Sequence, residues 1–147
     1  MIGLIGESFL IMELAKRNIR AYKLPSQFDY DFLLSNNLKV EVKTANITLS
    51  KKKYKNKEYT WKRWLFRNQK IKNKKERILR TCDYYILVCL NKNKDVEQVF
   101  IIPSKIIAKR QGITIQKNYL KEGKNLFLDY KNKWGLITQN STYTKED

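Results

Sequence analysis

Glu7, Asp29, Asp31, Glu41 and Lys43 are the residues through which this chain could do chemistry. Four of them fall in one segment, Phe28 to Lys43. Side chains alternate along a strand, so Leu38, Val40 and Val42 share one face and Lys39, Glu41 and Lys43 the other. A hairpin closed on Ser35-Asn36-Asn37 with Leu34 opposite Leu38 sets Phe32 against Val40, Asp31 against Glu41 and Asp29 against Lys43. This register puts every large apolar residue except Leu33 on one face and gathers Asp29, Asp31, Glu41 and Lys43 on the other. A slip of one residue would scatter both sets. Opposed Cβ atoms lie about 4.5–5.5 Å apart. Two carboxylates that close repel each other by a few kcal/mol, on the order of the Coulomb energy at an effective dielectric near 20. A divalent hard cation removes the repulsion, and Mg²⁺ prefers one or two carboxylates plus water and phosphate oxygens. Mn²⁺ is a possible substitute. Lys43 beside the pair can neutralise a phosphate, orient a water or stabilise a developing charge.

Glu7 is a candidate fourth carboxylate. It sits in a helix predicted over residues 5–18, where Ile5, Ser8, Phe9, Met12, Ala15 and Ile19 fall on one side. Its neighbours three, four and seven positions on are Leu10, Ile11 and Leu14, so it projects from an apolar side and needs a partner. Glu13, with Arg17 four residues on, reads as solvated. Asn18 and Arg20-Ala21-Tyr22 end the helix, and Pro25-Ser26-Gln27 is a loop. Strands are predicted over 28–34 and 38–45. Tyr84 to Leu90 reads as a central strand buried on both faces. Asn91 to Asp95 is a turn, and Gln98 to Ile102 the return strand. A short helix follows Pro103, with Ser104 as N-cap, Ile106, Ile107 and Ala108 as its apolar face, and Gly112 as its left-handed stop. Residues 113–116 and 125–130 read as short strands, Lys131 to Ile137 as a strand or helical turn, and 138–147 as a polar tail.

The 147 residues carry 31 Lys plus Arg against 14 Asp plus Glu, a net charge of +17, and no histidine. Ser-His-Asp, Cys-His and histidine-based nuclease chemistry are therefore excluded, as are His-containing zinc sites. The basic excess points to a polyanion, most often nucleic acid. Length predicts one domain, 1–137, with a basic arm at 46–81 and the tail behind it. Cys82 and Cys89 provide neither a C-x-x-C pair nor a disulfide framework, which fits a reducing cytoplasmic or nucleoid-associated setting. No apolar run reaches the ~18 residues of a membrane span.

The arm concentrates the charge. Fourteen basic residues lie between Lys51 and Arg80, opposed only by Glu58 and Glu76, so this stretch holds twelve of the seventeen net charges. Lys51, Lys52, Lys53, Lys55, Lys62, Arg63, Arg67 and Lys70 are its candidate phosphate contacts. Thr60 to Arg67 reads as an aromatic strand, and Asn68 to Arg80 as a basic helix or a loop. Tyr54, Tyr59, Trp61, Trp64 and Phe66 are interleaved with the charges, either as base-stacking groups or as core.

Glu7 on a first helix, Asp31 followed by Phe-Leu-Leu, and Glu41-Val42-Lys43 ten residues later resemble the PD-(D/E)XK nuclease superfamily. That superfamily includes restriction enzymes, archaeal Holliday-junction resolvases and small homing endonucleases. The resemblance implies an α/β fold with a restriction-endonuclease-like core, a central mixed sheet flanked by helices. It makes Asp31 and Glu41 the metal ligands, Lys43 the catalytic lysine, and Glu7 the helix carboxylate of the resolvase-like branch. Cys82 to Val88, a turn, then Phe100 to Pro103 is similar to the later strand pair of the homing-endonuclease branch. Tyr30 rather than Pro precedes Asp31, and Asp29 competes for its role.

The expectation is a Mg²⁺-dependent DNA endonuclease, site-specific or general, with no small-molecule cofactor. Water would attack the scissile phosphorus while Lys43 orients or deprotonates it. Duplex cleavage implies a homodimer or higher symmetric oligomer, for which the two-sided apolar first helix offers an interface. A structure-specific junction resolvase is the alternative within the class. The alternative outside it is a non-catalytic nucleic-acid-binding protein, in which Lys39, Glu41 and Lys43 are an ordinary strand face with ion pairs to Asp29 and Asp31.

Overall fold

Helix α1, Ile2–Ala15, opens the chain. Strands β1 (Ala21–Lys23), β2 (Phe32–Leu34), β3 (Lys39–Tyr54) and β4 (Lys57–Arg67) follow, then β5 (Lys70–Asn73) and β6 (Glu76–Ile78). The second half holds β7 (Tyr84–Leu90), β8 (Val96–Pro103), α2 (Ser104–Ile107), β9 (Gly112–Gln116), a 3₁₀ turn (Leu128–Tyr130) and α3 (Gly135–Thr138). This computed structural model describes residues 1–67, 70–73, 76–78, 82–107, 110–117 and 127–139, with 70–73 and 76–78 as backbone. The fold is α/β. Seven strands form an open, mostly antiparallel sheet along β1-β2-β3-β4-β9, with β7 and β8 branching from β3; β5 and β6 pair separately.

Strand β3 organises this sheet. Its first half runs parallel to β7 from Val40↔Tyr84 to Asn46↔Leu90, and its second half runs antiparallel to β4. Asp83 fixes the parallel register. Its Oδ2 accepts the Lys39 N–H at 2.8 Å, and its own N–H donates to Lys39 O at 2.8 Å. The apolar run of β7 is buried on both sides, as its composition predicts. One face packs Phe32, Leu34, Val40, Val42 and Ile86 under α1. The other packs Tyr85, Leu87 and Phe100 against Trp64, Phe66 and Ile115. Trp64 is fully buried and donates its indole N–H to Leu90 O at 2.9 Å. The Trp64 and Phe66 aromatics are therefore core. Both thiols are buried too, and burial pushes Cys82 up to about 11 and Cys89 higher than usual.

Several elements depart from expectation. The helix ends three residues earlier than residue 18, and its buried face is Gly6, Leu10 and Leu14, leaving Met12 61% exposed. The reason is contact distance: a Cβ on Gly6 would lie 1.9 Å from Thr44 Oγ1, so only glycine lets this face approach the sheet. Asn18, at φ 60°, does terminate the segment, and Ile19 N–H reaches back to Leu14 O at 2.9 Å. Residues 28–31 turn rather than pair as strand. Phe28 N–H donates to Pro25 O in a turn, and the pairing with β1 runs out at the bond from Leu24 N–H to Asp31 O. Strand β3 runs nine residues beyond 45, because β4 pairs with it through a two-residue turn at Lys55 and Asn56, both at positive φ. Within 68–80 the described backbone is a strand pair, not a helix; residues 68, 69, 74, 75, 79 and 80 lie outside the described set. Gly112 begins β9 opposite Arg67 instead of stopping a helix, because sheet pairing claims it. Leu128–Tyr130 is 3₁₀, not strand. Residues 125 and 126, Ala108 and the tail from 140 are outside the description. No described helix is long and apolar enough to cross a membrane.

The Gly6–Thr44 contact gives a paired test. Gly6→Ala should lower stability by about 1–3 kcal/mol through overpacking. Thr44→Ala placed in the same chain should restore most of that loss, measured by urea unfolding. Losses that simply add would remove this contact as the cause.

Candidate active site

Three elements converge on the acidic residues. The β2–β3 hairpin takes the expected register: Phe32 pairs with Val40, and Leu34 N–H donates to Leu38 O at 2.9 Å. Asn37, at φ 71°, supplies the left-handed residue the three-residue loop needs. Asp31 stands where β2 begins. Its N–H still donates to Val40 O at 3.1 Å, while its Oδ2 accepts the Val42 N–H at 2.8 Å. The side chain thus replaces the missing strand and caps the open edge of β3. This holds Asp31 beside Glu41, close enough for the Glu41 carboxyl to help lower the Asp31 pKa. The expected Asp29–Lys43 pairing is not part of the ladder, since the hairpin pairing stops before it.

Glu41 is 1% exposed and is the buried charged residue among those described. An ordinary solvated strand face does not describe that position. A lone buried carboxylate would cost several kcal/mol, on the order of the penalty of desolvating an ion without a partner. Its surroundings supply compensation. Lys43 Nζ lies 3.6 Å from Glu41 Oε2, and the Asp31 carboxyl stands beside it. Two carboxyl groups set side by side need a proton or a cation to relieve their repulsion.

Lys23 is the participant that sequence reasoning missed. From β1 its Nζ reaches Glu7 Oε1 at 2.8 Å and Asp31 Oδ1 at 3.5 Å. It tethers the helix carboxylate to the hairpin carboxylate. The signal available in the sequence was weak: Lys23 directly follows the helix-ending stretch, on a strand only three residues long. Half-exposed ion pairs of this kind contribute only about 0–1 kcal/mol. Lys23 therefore matters for charge balance more than for stability. Burial lowers its pKa, but Glu7 and Asp31 outweigh that and raise it. For Asp31, burial pushes the carboxyl up. The neighbouring Glu41 carboxyl, the Val42 N–H and the Lys23 charge together outweigh burial and hold it below the usual aspartate value. A cleft of about 210 Å³ opens next to this group, lined by Lys23, Leu24, Pro25, Phe28, Tyr30 and Asp31.

The four expected residues are thus close but not equivalent. Asp31 and Glu41 form a pair, Lys43 flanks Glu41, and Glu7 meets the pair through Lys23. Among the described residues, no three His, Cys, Asp or Glu side chains are grouped to hold a metal ion. A divalent cation would fit the Asp31–Glu41 carboxylate pair, and that donor set suits Mg²⁺ with its remaining positions open to water and phosphate. The basic candidates lie on or beyond the β3–β4 ribbon. Lys51, Lys52, Lys53 and Lys55 are on or next to its exposed outer half, and Lys62 and Arg67 are exposed on β4. Arg63 is half-buried at the ribbon's base, and Lys70 begins β5. Comparison with protein-family models gives no match, and no curated protein matches the chain significantly.

The Asp31 environment has a pH signature. Because its folded pKa is lowered, its contribution is complete above about pH 4 and fades as pH falls through the folded value. The stability gap between the wild-type chain and Asp31→Asn should narrow on acidification from about pH 6 to about pH 3, measured by thermal unfolding. A gap independent of pH would contradict the ionised Asp31 bridge.

Proposed function

We propose that the protein is a divalent-metal-dependent DNA endonuclease built on a restriction-endonuclease-like core. The observation that carries this reading is the buried Glu41 carboxyl set against the half-buried Asp31, with Lys43 beside it, at the root of a densely basic ribbon. Structural ion pairs seldom bury one acid against another. Asp31 and Glu41 are the residues that hold the cation. When bound, Mg²⁺ neutralises phosphate charge and makes water a better nucleophile near neutral pH. Lys43, on the same strand face as Glu41, offers its ammonium to the scissile phosphate and to charge that develops as the leaving oxygen departs. Glu7, held by Lys23, adds negative charge at the rim and helps to orient water. The parallel β3–β7 pair and α1 over the apolar face are features this reading expects. The outward stripe of α1, with Leu4 and Met12 both 61% exposed, is the face for the second copy that duplex cleavage requires.

The binding-only reading has its own support in the two lysines. Lys23 and Lys43 already balance the acidic side chains without a metal. Cleavage decides between the two. With Mg²⁺ or Mn²⁺ the protein should cut plasmid or four-way-junction DNA. Asp31→Asn, Glu41→Gln and Lys43→Ala should each lose activity on the order of a hundred-fold or more, with DNA binding in EDTA retained. Full cleavage by Asp31→Asn and Glu41→Gln would overturn the reading. Lys23→Met gives a second check. With the internal cation gone, Mg²⁺ or Mn²⁺ should raise Tm by more than in the wild-type chain. An equal or smaller rise would mean that the carboxylates do not take up the metal.

A further inference from the structure

We infer that the β3–β4 ribbon enters the major groove of duplex DNA. This rests on the nucleic-acid part of the proposed function and is independent of cleavage. From Ile47↔Trp64 to Tyr54↔Lys57 the ribbon has eight consecutive pairs. At about 3.4 Å per step it is roughly 24 Å long. From Lys51 to Thr60 every residue is exposed, so the outer half packs against nothing among the described residues. It still has a fixed register, set by the tight turn at Lys55-Asn56. An element that is ordered, protruding and polar on both faces does not stabilise a core.

Pairing across the ribbon sorts its side chains. One face carries Lys52, Tyr54, Lys57, Tyr59, Trp61 and Arg63, the other Leu49, Lys51, Lys53, Glu58, Thr60 and Lys62. Cations therefore stand on both strands and both faces. A platform for single-stranded bases needs aromatics and cations together on one side, and Lys51, Lys53 and Lys62 would be wasted behind it. Two walls of phosphate, one on either side, use all of them. The B-form major groove is about 12 Å wide and admits a two-stranded ribbon. The two-residue tip adds no bulk that would block entry. The rings of Tyr54 and Tyr59, 58% and 48% exposed, then lie where base edges and thymine methyl groups are presented. The deep, narrow groove of A-form RNA excludes the same ribbon.

The test is binding of the full chain in EDTA to a mixed-sequence DNA duplex, an RNA duplex of the same sequence and the single DNA strand. Two competitors are added: methyl green, which occupies the major groove, and netropsin, which occupies the minor. The DNA duplex should bind at least ten-fold tighter than the RNA duplex, and methyl green but not netropsin should displace the protein. Lys52→Ala/Lys57→Ala/Lys62→Ala should lower the slope of log affinity against log salt by about 0.9 per lost phosphate contact. Tyr54→Ala/Tyr59→Ala should weaken duplex binding while leaving Tm unchanged, since both rings are outside the core. Equal affinity for the RNA duplex, displacement by netropsin alone, or an unchanged salt slope in the triple variant would overturn the inference and leave the endonuclease reading standing. Absence of binding to all three nucleic acids would overturn both.

Discussion

A carboxyl group at 1% exposure must be compensated, and the Glu41 carboxyl is the group around which the rest of this molecule is arranged. It sits on a sheet face that continues directly into apolar core: Tyr85 is its neighbour on β7, and Leu87, Cys89 and Ala45 follow. Apolar packing alone would favour a hydrophobic residue at this position. The chain instead surrounds the carboxyl with Asp31, whose pKa it helps to lower, and Lys43, which lies 3.6 Å away. Replacing a buried ionic group with a hydrophobe is often neutral or stabilising. Retaining one therefore points to use rather than to stability.

The surrounding elements can be understood as what this arrangement requires. Strand β2 stops short so that the Asp31 side chain, not its backbone, meets Val42 N–H. The turn from Pro25 onward brings the chain to that point from the outside. Gly6 lets α1 sit close enough to the sheet for Glu7, the next residue, to reach Lys23 at the site's rim. Asp83 locks β7 against β3 at the register that sets Tyr85 beside Glu41. The same strand that presents Glu41 and Lys43 runs on, unbroken, into the basic ribbon. The buried acid and the basic outer stretch are thus two halves of one 16-residue strand.

The hairpin register was legible because alternation leaves no choice: only one pairing buries Phe32, Leu34, Val40 and Val42 together. The β7–β8 pair was legible for the same reason, from a continuous apolar run and a turn whose Asn91 side chain accepts from Asn93 and Asp95 N–H groups. What local pattern could not reveal was set by distant partners. The buried face of α1 depends on Thr44, more than thirty residues away. Gly112 follows Arg67 into the sheet, although its local context suits a helix stop. Trp61 and Trp64 have similar neighbours in sequence, yet Trp64 packs against β7 and Trp61 shares the ribbon face of Tyr54 and Tyr59. Lys23 was invisible as a site residue because its two partners are an N-terminal helix residue and a hairpin residue, brought together only by the tertiary fold.

The most direct measurement is the anomalous scattering of Mn²⁺ in crystals of the protein grown or soaked with that ion. The account predicts a peak about 2.1 Å from carboxylate oxygens of both Asp31 and Glu41, with the Lys23 ammonium moved off Asp31. A map with no peak there, and Lys23 still bridging Glu7 and Asp31, would contradict it.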